Sequence, residues 1–252
     1  MKLHISANQW IETSEGHDIS LPLSPRKGPL AWYVDPVKIW PVKTDEFVGK
    51  VSEGGSTNFN NIQLNPHGNG THTENVGHIS ESFYNINDSL TEFFFNAKLI
   101  SVCPKKIYNT RFNENDLVID SDLLRHEIED IGYNQALIIR TLPNSDSKLS
   151  INYSNSNPPY ITKDAIEFII DIGIKHLLID LPSIDRENDH GELLAHKIFW
   201  NYPTDPELDK TITELVYVKT ELPDGNYILN IQIISIENDA SPSKPILYKI
   251  KD

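Results

Sequence analysis

The sequence predicts a mixed α/β fold. Three short apolar segments, residues 98–102, 136–142 and 176–180, have the composition of buried strands. Segments 121–131 and 162–174 lie between them and repeat apolar residues at helical spacing. Strands that alternate with helices in this way form sheets joined by crossover helices. We therefore expect a single domain that contains a mixed sheet with crossover helices.

Length and composition limit the class of protein. The 252 residues, of which 38% are hydrophobic and 9% aromatic, are enough for one α/β domain over residues 1–252. The only cysteine, Cys103, excludes a disulfide framework and a cysteine-rich zinc site. A formal net charge of −14 disfavours nucleic acid, because phosphates are bound by basic patches. The sequence shows neither a signal-peptide pattern nor an apolar run of membrane-span length. We therefore expect a cytoplasmic protein with no membrane or nucleic-acid partner.

The first part of the chain predicts strands and one long loop. Residues 18–23 alternate apolar and polar side chains as a strand does. Residues 24–45 are rich in proline and predict a loop. Its aromatic residues, such as Trp32, either form the wall of a site or only pack the loop against the surface. Residues 47–64 predict strands around a Gly-Gly turn, and the last of them leads directly into a histidine-rich segment.

The second half of the chain supplies the remaining elements. Residues 181–190 form a charged loop after the strand 176–180, at the edge of the sheet where α/β proteins often bind ligands. Residues 191–200 predict a helix, and residues 227–237 alternate as a long strand.

The histidine-rich segment, residues 65–79, contains three of the nine histidines, His67, His72 and His78, together with Glu74. Its glycines and β-branched residues disfavour a helix. In an extended chain His72, Glu74 and His78 share one face, and neighbours on a face are about 6.5–7 Å apart. His72 and Glu74 can then reach one ion, and the glycine before His78 allows the chain to bend that residue back. Because imidazole and carboxylate ligands suit Zn, Mn or Fe, the segment predicts a metal site.

Other motifs of catalysis fit poorly. A zincin helix requires His-Glu-x-x-His, whereas the order here is His-x-Glu-x-x-x-His. A nucleobase deaminase shares His-x-Glu but requires Pro-Cys-x-x-Cys, which is absent. The Gly-x-Ser-x-Gly elbow of serine hydrolases is also absent, which disfavours a serine triad.

The segment Gly70-Thr71-His72-x-Glu74-x-Val76-x-His78 resembles the motif His-x-Gly-Thr-His-x-Asp-x-Pro-x-His of the metal-dependent cyclase family, which includes kynurenine formamidase and isatin hydrolase. It differs at three positions. Glu74 replaces the aspartate, Val76 replaces the proline, and His67 lies five residues before His72 instead of four. The resemblance implies the swivelling β/β/α-like fold of that family.

Two later segments extend the resemblance. The run Leu193-Leu194-Ala195-His196-Lys197 resembles the helix with the family's second metal histidine, which follows an aspartate-containing loop like residues 180–185. His190, six residues before His196, is an alternative. The run Thr211-Ile212-Thr213-Glu214-Leu215 resembles Ile-x-Glu-Asn-Leu, whose glutamate binds metal. Residues 240–245 resemble the closing Ser-Pro-x-Arg segment, with lysine for arginine.

The resemblance implies a candidate site of six residues. The implied metal ligands, for one or two ions of Zn or Mn, are His67, His72, Glu74, His196 and Glu214. His78 is the implied general base and then acid. We expect a metal-dependent hydrolase of an amide or cyclic amide, arylformamidase-like, that acts on a small-molecule substrate. The alternative is a protein of the same fold that binds a metal or a small molecule without turnover. The family also implies a homodimer or a larger homo-oligomer.

Overall fold

The computed structural model of the protein describes residues 1–128 and 130–252. It confirms the mixed α/β fold. The described helices are α1 (Pro66–Asn69), α2 (Ile86–Ser89), α3 (Ser121–Glu127), α4 (Lys163–Asp171) and α5 (Leu194–Phe199). The described strands are β1 (Lys2–His4), β2 (Trp10–Glu12), β3 (His17–Asp18), β4 (Lys38–Pro41), β5 (Asn60–Gln63), β6 (His72–Glu74), β7 (Phe94–Val102), β8 (Lys105–Asn109), β9 (Glu114–Ile119), β10 (Ala136–Thr141), β11 (Tyr160–Ile161), β12 (His176–Ile179), β13 (Thr211–Glu214), β14 (Gly225–Asn230), β15 (Ala240–Pro242) and β16 (Ile246–Lys249).

The main sheet contains nine of these strands in the order β15-β6-β13-β12-β10-β7-β14-β16-β3. The four strands β13, β12, β10 and β7 are parallel to their neighbours within that group. The flanking pairs, β6 with β13 and β15, and β14 with β7 and β16, are antiparallel. The sheet is therefore mixed, with a parallel centre.

Helices α3, α4 and α5 lie in the three crossovers between the parallel strands and pack on the same face of the sheet. The core on that face contains Leu137 and Ile139 of β10, and the alternate residues Ala136 and Ile138 face a second core on the other side. Because β10 is covered on both faces, its first four residues, Ala136–Ile139, are all apolar, as in parallel sheets generally. No helix among the described residues is long and apolar enough to cross a membrane.

The predicted central elements agree with the observed ones. The segments 98–102, 136–142 and 176–180 correspond to parts of β7, β10 and β12. The helix predicted over residues 121–131 is α3, whose cap Asp120 accepts a hydrogen bond from Leu123 N at 2.9 Å. Within that predicted range, Glu129 lies outside the described residues. The helix predicted over residues 162–174 is α4.

Three predicted strands are shorter than expected. Only Asn60–Gln63 is a strand in segment 47–64, and only His17–Asp18 is a strand near segment 18–23. The strand predicted over residues 227–237 ends at Asn230, which is also the last position paired with β7 and β16. The alternation continues beyond this point, but the backbone there makes only isolated contacts, such as the single bridge between Ile233 and Ser243.

Candidate metal centre

The sequence predicted an extended histidine-rich segment. The structure instead shows three short elements in it. Pro66–Asn69 is the one-turn helix α1, whose cap Asn65 accepts a hydrogen bond from Gly68 N at 3.1 Å. Strand β6, His72–Glu74, is the extended part, and a 3-10 helix follows at Val76–His78. The prediction against a helix was therefore wrong at α1, because asparagine is a good cap and proline fits the first turn.

Two glycines allow this segment to pack closely. A Cβ atom on Gly68 would lie 2.5 Å from Val34 Cγ2 and 3.0 Å from a backbone oxygen. A Cβ atom on Gly77 would lie 2.7 Å from Tyr84 O. The packing therefore disfavours any side chain at position 68. This is the position where the family motif, whose first two histidines are four positions apart, would place the first one. His67, the residue before that glycine, carries the imidazole instead.

Strands β6 and β13 bring three of the expected ligands together. His72 and Glu74 lie two positions apart on β6, so both side chains leave the same face. The antiparallel register pairs His72 with Glu214. His72 Nε2 lies 3.4 Å from Glu214 Oε2 and 3.8 Å from Glu74 Oε2. All three residues are buried.

Helix α5 brings His196 to Glu74. The carboxylate of Asp185 accepts hydrogen bonds from Ala195 N at 2.7 Å and His196 N at 3.1 Å, so it satisfies the first turn of the helix. The same carboxylate lies 2.6 Å from His196 Nδ1, and His196 Nε2 lies 3.1 Å from Glu74 Oε1. The histidine segment therefore meets this helix, as expected.

Three imidazoles share one arrangement: one ring nitrogen contacts an acceptor outside the cluster, and the other faces a glutamate of the cluster. The outward contacts are His72 Nδ1 to Gly70 O at 3.0 Å, His196 Nδ1 to Asp185 Oδ2 at 2.6 Å and His67 Nε2 to Asp239 Oδ2 at 2.9 Å. Histidines that bind metal in proteins have this arrangement, because the outer acceptor fixes the tautomer. His72 Nε2 is buried and has no hydrogen-bond partner among the described residues.

The ligand atoms form two groups that share Glu74. The first group is His72, Glu74 and Glu214, and the second group is His67, Glu74 and His78. Within each group the ligand atoms lie within 4.8 Å of one another. A shared carboxylate between two sets of donors has the geometry for either one ion or a bridged pair.

His78 lies at the edge of this cluster and is 29% exposed. Its ring stacks on that of His67, with 4.2 Å between centroids. His78 Nδ1 lies 3.9 Å from Glu74 Oε2, which is beyond hydrogen-bond distance. His190, the alternative to His196, is exposed and contacts the ring of Phe112, so it lies outside both groups.

The carboxylates strongly affect the titration of the imidazoles. Burial disfavours the charged ring of His67, but hydrogen bonds to Asp239 and Glu74 outweigh it and raise the pKa of His67 to about 10. Burial likewise opposes the charge on His196, yet the hydrogen bonds to Asp185 and Glu74 raise its pKa well above the ordinary value. In the metal-free protein the carboxylates around both rings therefore favour the protonated imidazoles. A cation that binds here must displace those protons.

A cavity of about 340 Å³ opens onto the cluster. Its floor includes His67, His78, His196 and Glu214, and Trp32 and Leu193 contribute apolar wall. Trp32 belongs to the proline-rich loop. Of the two alternatives for the aromatic residues of that loop, Trp32 follows the first, because it forms part of the wall of this cavity. The cluster of candidate metal ligands is therefore next to a cavity that can hold a small molecule.

The sequence does not identify the two aspartates that contact histidines of the cluster from outside it. It places Asp185 in a loop and gives no role to Asp239. No local signal marks Asp185, because a cap directly precedes its helix and Asp185 lies well before Leu194, the first residue of α5. Asp239 carries no such signal either, because its contact with His67 depends on the pairing of β15 with β6.

This fold and this cluster define a class of α/β proteins with histidines and carboxylates gathered at one end of a mixed sheet. The model of the Cyclase family, described as "Putative cyclase", matches residues 17–186, well over half of the chain. The chain therefore belongs to the Cyclase family, and the resemblance in the sequence is confirmed. No curated protein matches the sequence.

Solved structures share the fold at low sequence identity. A protein from Bacillus stearothermophilus, described as a predicted metal-dependent hydrolase, has a TM-score of 0.63 and 18% identity, with 93% of this chain and 98% of that chain covered. An isatin hydrolase bound to the product analogue thioisatinate has a TM-score of 0.65 and 18% identity, with 94% and 93% covered. Isatin hydrolase A from Labrenzia aggregata, bound to benzyl benzoate, has a TM-score of 0.65 and 14% identity, with 93% of each chain covered.

Proposed function

We propose that the protein is a metal-dependent hydrolase of an amide or a cyclic amide, with arylformamidase-like chemistry. The observation that carries the proposal is His72 Nε2, a buried nitrogen that faces the carboxylates of Glu74 and Glu214 and has no hydrogen-bond partner in the described part of the chain. A buried polar atom without a partner is costly, and so are two adjacent buried carboxylates. A divalent cation between them removes both costs.

The donor set decides which ions fit. His72, Glu74, His196 and Glu214 would hold one ion, and His67 would hold a second one together with Glu74. Imidazole and carboxylate donors accept Zn and Mn, so the residues fit either metal. Cys103, the only cysteine, is exposed and lies outside both groups. A thiolate-rich site is therefore not part of the proposal.

The residues of the chain have distinct tasks in this hydrolysis. A divalent cation, when bound, would act as a Lewis acid that lowers the pKa of water and polarises a carbonyl. Trp32 and Leu193 line the cavity and offer apolar surface to a bound substrate. His78, at the floor of the same cavity, takes a proton on a ring nitrogen from the attacking water and returns it to the leaving nitrogen.

Two kinds of comparison support the proposal. The chain belongs to the Cyclase family, and one similar structure is described as a metal-dependent hydrolase. Others are isatin hydrolases, and isatin contains a cyclic amide. The cytoplasmic location and the homo-oligomer stay predictions.

The test is a joint measurement of metal content and turnover. Protein purified without chelator should contain at least one equivalent of Zn or Mn and should hydrolyse an aryl formamide or isatin. Removal of the ion by a chelator should abolish turnover, and its return should restore it. A bound ion without hydrolysis of either compound would favour the alternative, a binding protein. Absence of any ion would contradict the metal-dependent hydrolase and would leave only the binding of a small molecule.

A further inference from the structure

We propose that Asp239 is a positioning residue that fixes His67 as a metal ligand and thereby sets the affinity of the second group for its cation. The inference rests on the proposed metal site and adds a residue to it. Asp239 lies far along the chain from the histidine-rich segment, and no motif or resemblance assigns it a role.

The contacts of His67 define what Asp239 does. His67 Nδ1 lies 2.9 Å from Glu74 Oε2, and His67 Nε2 lies 2.9 Å from Asp239 Oδ2. Glu74, the carboxylate that both groups share, lies on the Nδ1 side. A cation on Nδ1 requires that the hydrogen stay on Nε2. The carboxylate of Asp239, which can only accept when ionised, holds it there.

The cluster repeats this arrangement at His196. Asp185 lies 2.6 Å from His196 Nδ1, and His196 Nε2 faces Glu74 at 3.1 Å. Each imidazole thus stands between an outer aspartate and the shared glutamate. Asp185 contacts Nδ1 of its ring and Asp239 contacts Nε2, but each aspartate binds the nitrogen that does not face Glu74, which favours the same task for both.

The fold holds Asp239 in place. Strand β15 begins at the next residue and pairs with β6, with Ala240 opposite Glu74. Asn75 N donates a hydrogen bond to Asp239 O at 3.1 Å. A Cβ atom on Gly77 would lie 3.0 Å from Asp239 Cβ, so the glycine permits the approach of the aspartate. Among the described residues, the ion pairs of Asp239 are with His67 and His78 alone.

His78 is the weaker of these two contacts. Its Nδ1 lies 3.8 Å from Asp239 Oδ2, beyond hydrogen-bond distance, whereas His67 Nε2 is at 2.9 Å. An effect of Asp239 on metal affinity should therefore pass through His67. A positioning residue would lose its effect on metal affinity when His67 is removed, whereas a direct ligand would keep it.

A double-mutant cycle tests the proposal. Metal-free wild type, Asp239→Ala, His67→Ala and the double variant are titrated calorimetrically with ZnCl₂ and MnCl₂. Asp239→Ala should weaken binding of one equivalent by about 10–100-fold, the usual effect of losing an outer partner of a ligand. In the His67→Ala background it should change the remaining affinities by less than about twofold, because the two residues act as one unit.

Two further variants sharpen the result. Asp239→Asn keeps an oxygen acceptor for the ring and should lose less affinity than Asp239→Ala. Glu237→Gln removes an exposed carboxylate two residues away and should bind metal as the wild type does. The absorption spectrum of the cobalt-substituted protein should change with Asp239→Ala and not with Glu237→Gln.

The outcomes that overturn the proposal are distinct. Unchanged affinity in Asp239→Ala, while the wild type binds metal, would refute the role of Asp239 and leave the proposed function intact. Equal losses in the wild-type and His67→Ala backgrounds would make Asp239 a direct ligand. A wild type that binds no ion would refute the proposed function together with this inference.

Discussion

His72 and Glu214 are direct partners across the antiparallel strands β6 and β13, and their side chains approach to 3.4 Å between Nε2 and Oε2. Most of the chain separates them in sequence. One residue pair of the sheet therefore joins the two halves of the candidate centre. The precision of the ligand geometry then depends on the register of these two strands, since a one-residue slip would turn either side chain to the opposite face.

The first prediction concerns this pair. His72→Ala and Glu214→Ala should each remove bound metal and turnover, because each takes a donor from the first group. Metal analysis by mass spectrometry, together with a hydrolysis assay, measures both effects. His190→Ala provides the control, since His190 is exposed and contacts Phe112 instead of the cluster. Metal stoichiometry at the wild-type level in both cluster variants would refute the assignment.

The second prediction concerns His78. If His78 transfers protons and does not bind metal, His78→Ala should keep the ion and lose turnover by about 10²–10⁴-fold. Its position at the floor of the cavity, with Nδ1 3.9 Å from Glu74 Oε2, is compatible with that task. Rate and metal content must be measured on the same sample. Loss of an ion would make His78 a ligand of the second group, and a nearly normal rate would remove it from the mechanism.

The third prediction is a pH dependence of the metal-free protein. Its carboxylate partners raise the pKa of His67 to about 10, from an ordinary value of 6.5. Below about pH 6.5 the ring is charged in the folded and unfolded states. The contacts of the charged ring with Asp239 and Glu74 then contribute fully to the free energy of unfolding. Between about pH 6.5 and about 10 the unfolded chain loses the proton first, and the contribution declines until it is lost.

The measurement is chemical denaturation of metal-free wild type and His67→Gln on both sides of this range. The free energy of unfolding of the wild type should exceed that of the variant most at the acidic end, and the difference should shrink toward the basic end. A difference that stays constant, or grows with pH, would show that the ring is not held as a cation in the folded protein.

The fourth prediction concerns the packing beneath α1. Gly68→Ala should destabilise the protein by about 1–3 kcal/mol, the usual cost of overpacking, because its Cβ would meet Val34 Cγ2 at 2.5 Å. Since His67 is the preceding residue, metal affinity should fall as well. Gly28→Ala is the control, because the nearest atoms to its Cβ would be 3.7 Å or farther away. Thermal melting and metal titration of both variants give the comparison, and equal behaviour would contradict the packing argument.

The regular part of the fold could be predicted from local patterns. Strand β10 begins with four apolar residues, and α4 has apolar residues at helical spacing, so both can be predicted from the sequence without knowledge of their neighbours. His72 and Glu74 belong to this category too, because alternation along a strand places them on one face. Glu214 and His196 required the family resemblance, since nothing local distinguishes them from other polar residues.

The rest depended on contacts between distant segments. The strand expected over residues 227–237 ends at Asn230 because its partners end there, and alternation alone does not show where a partner ends. Asp239 gains its contact to His67 only through the pairing of β15 with β6. Helix α1, in contrast, has a local signal. Asn65 and Pro66 favour the start of a helix, but the glycines that follow disfavour one, so the helix was not predicted.

The wide spacing of the centre along the chain has a consequence for its biosynthesis. The ribosome releases the amino terminus first, so His67, His72 and Glu74 emerge long before Glu214 and Asp239. Strand β6 then lacks both of its neighbours, β13 and β15, until these late segments emerge. A growing chain that has not reached Glu214 cannot form the first group. The ligands of the proposed metal site can therefore come together only after residue 214 has been synthesised, so the site cannot guide the folding of the segments that precede it.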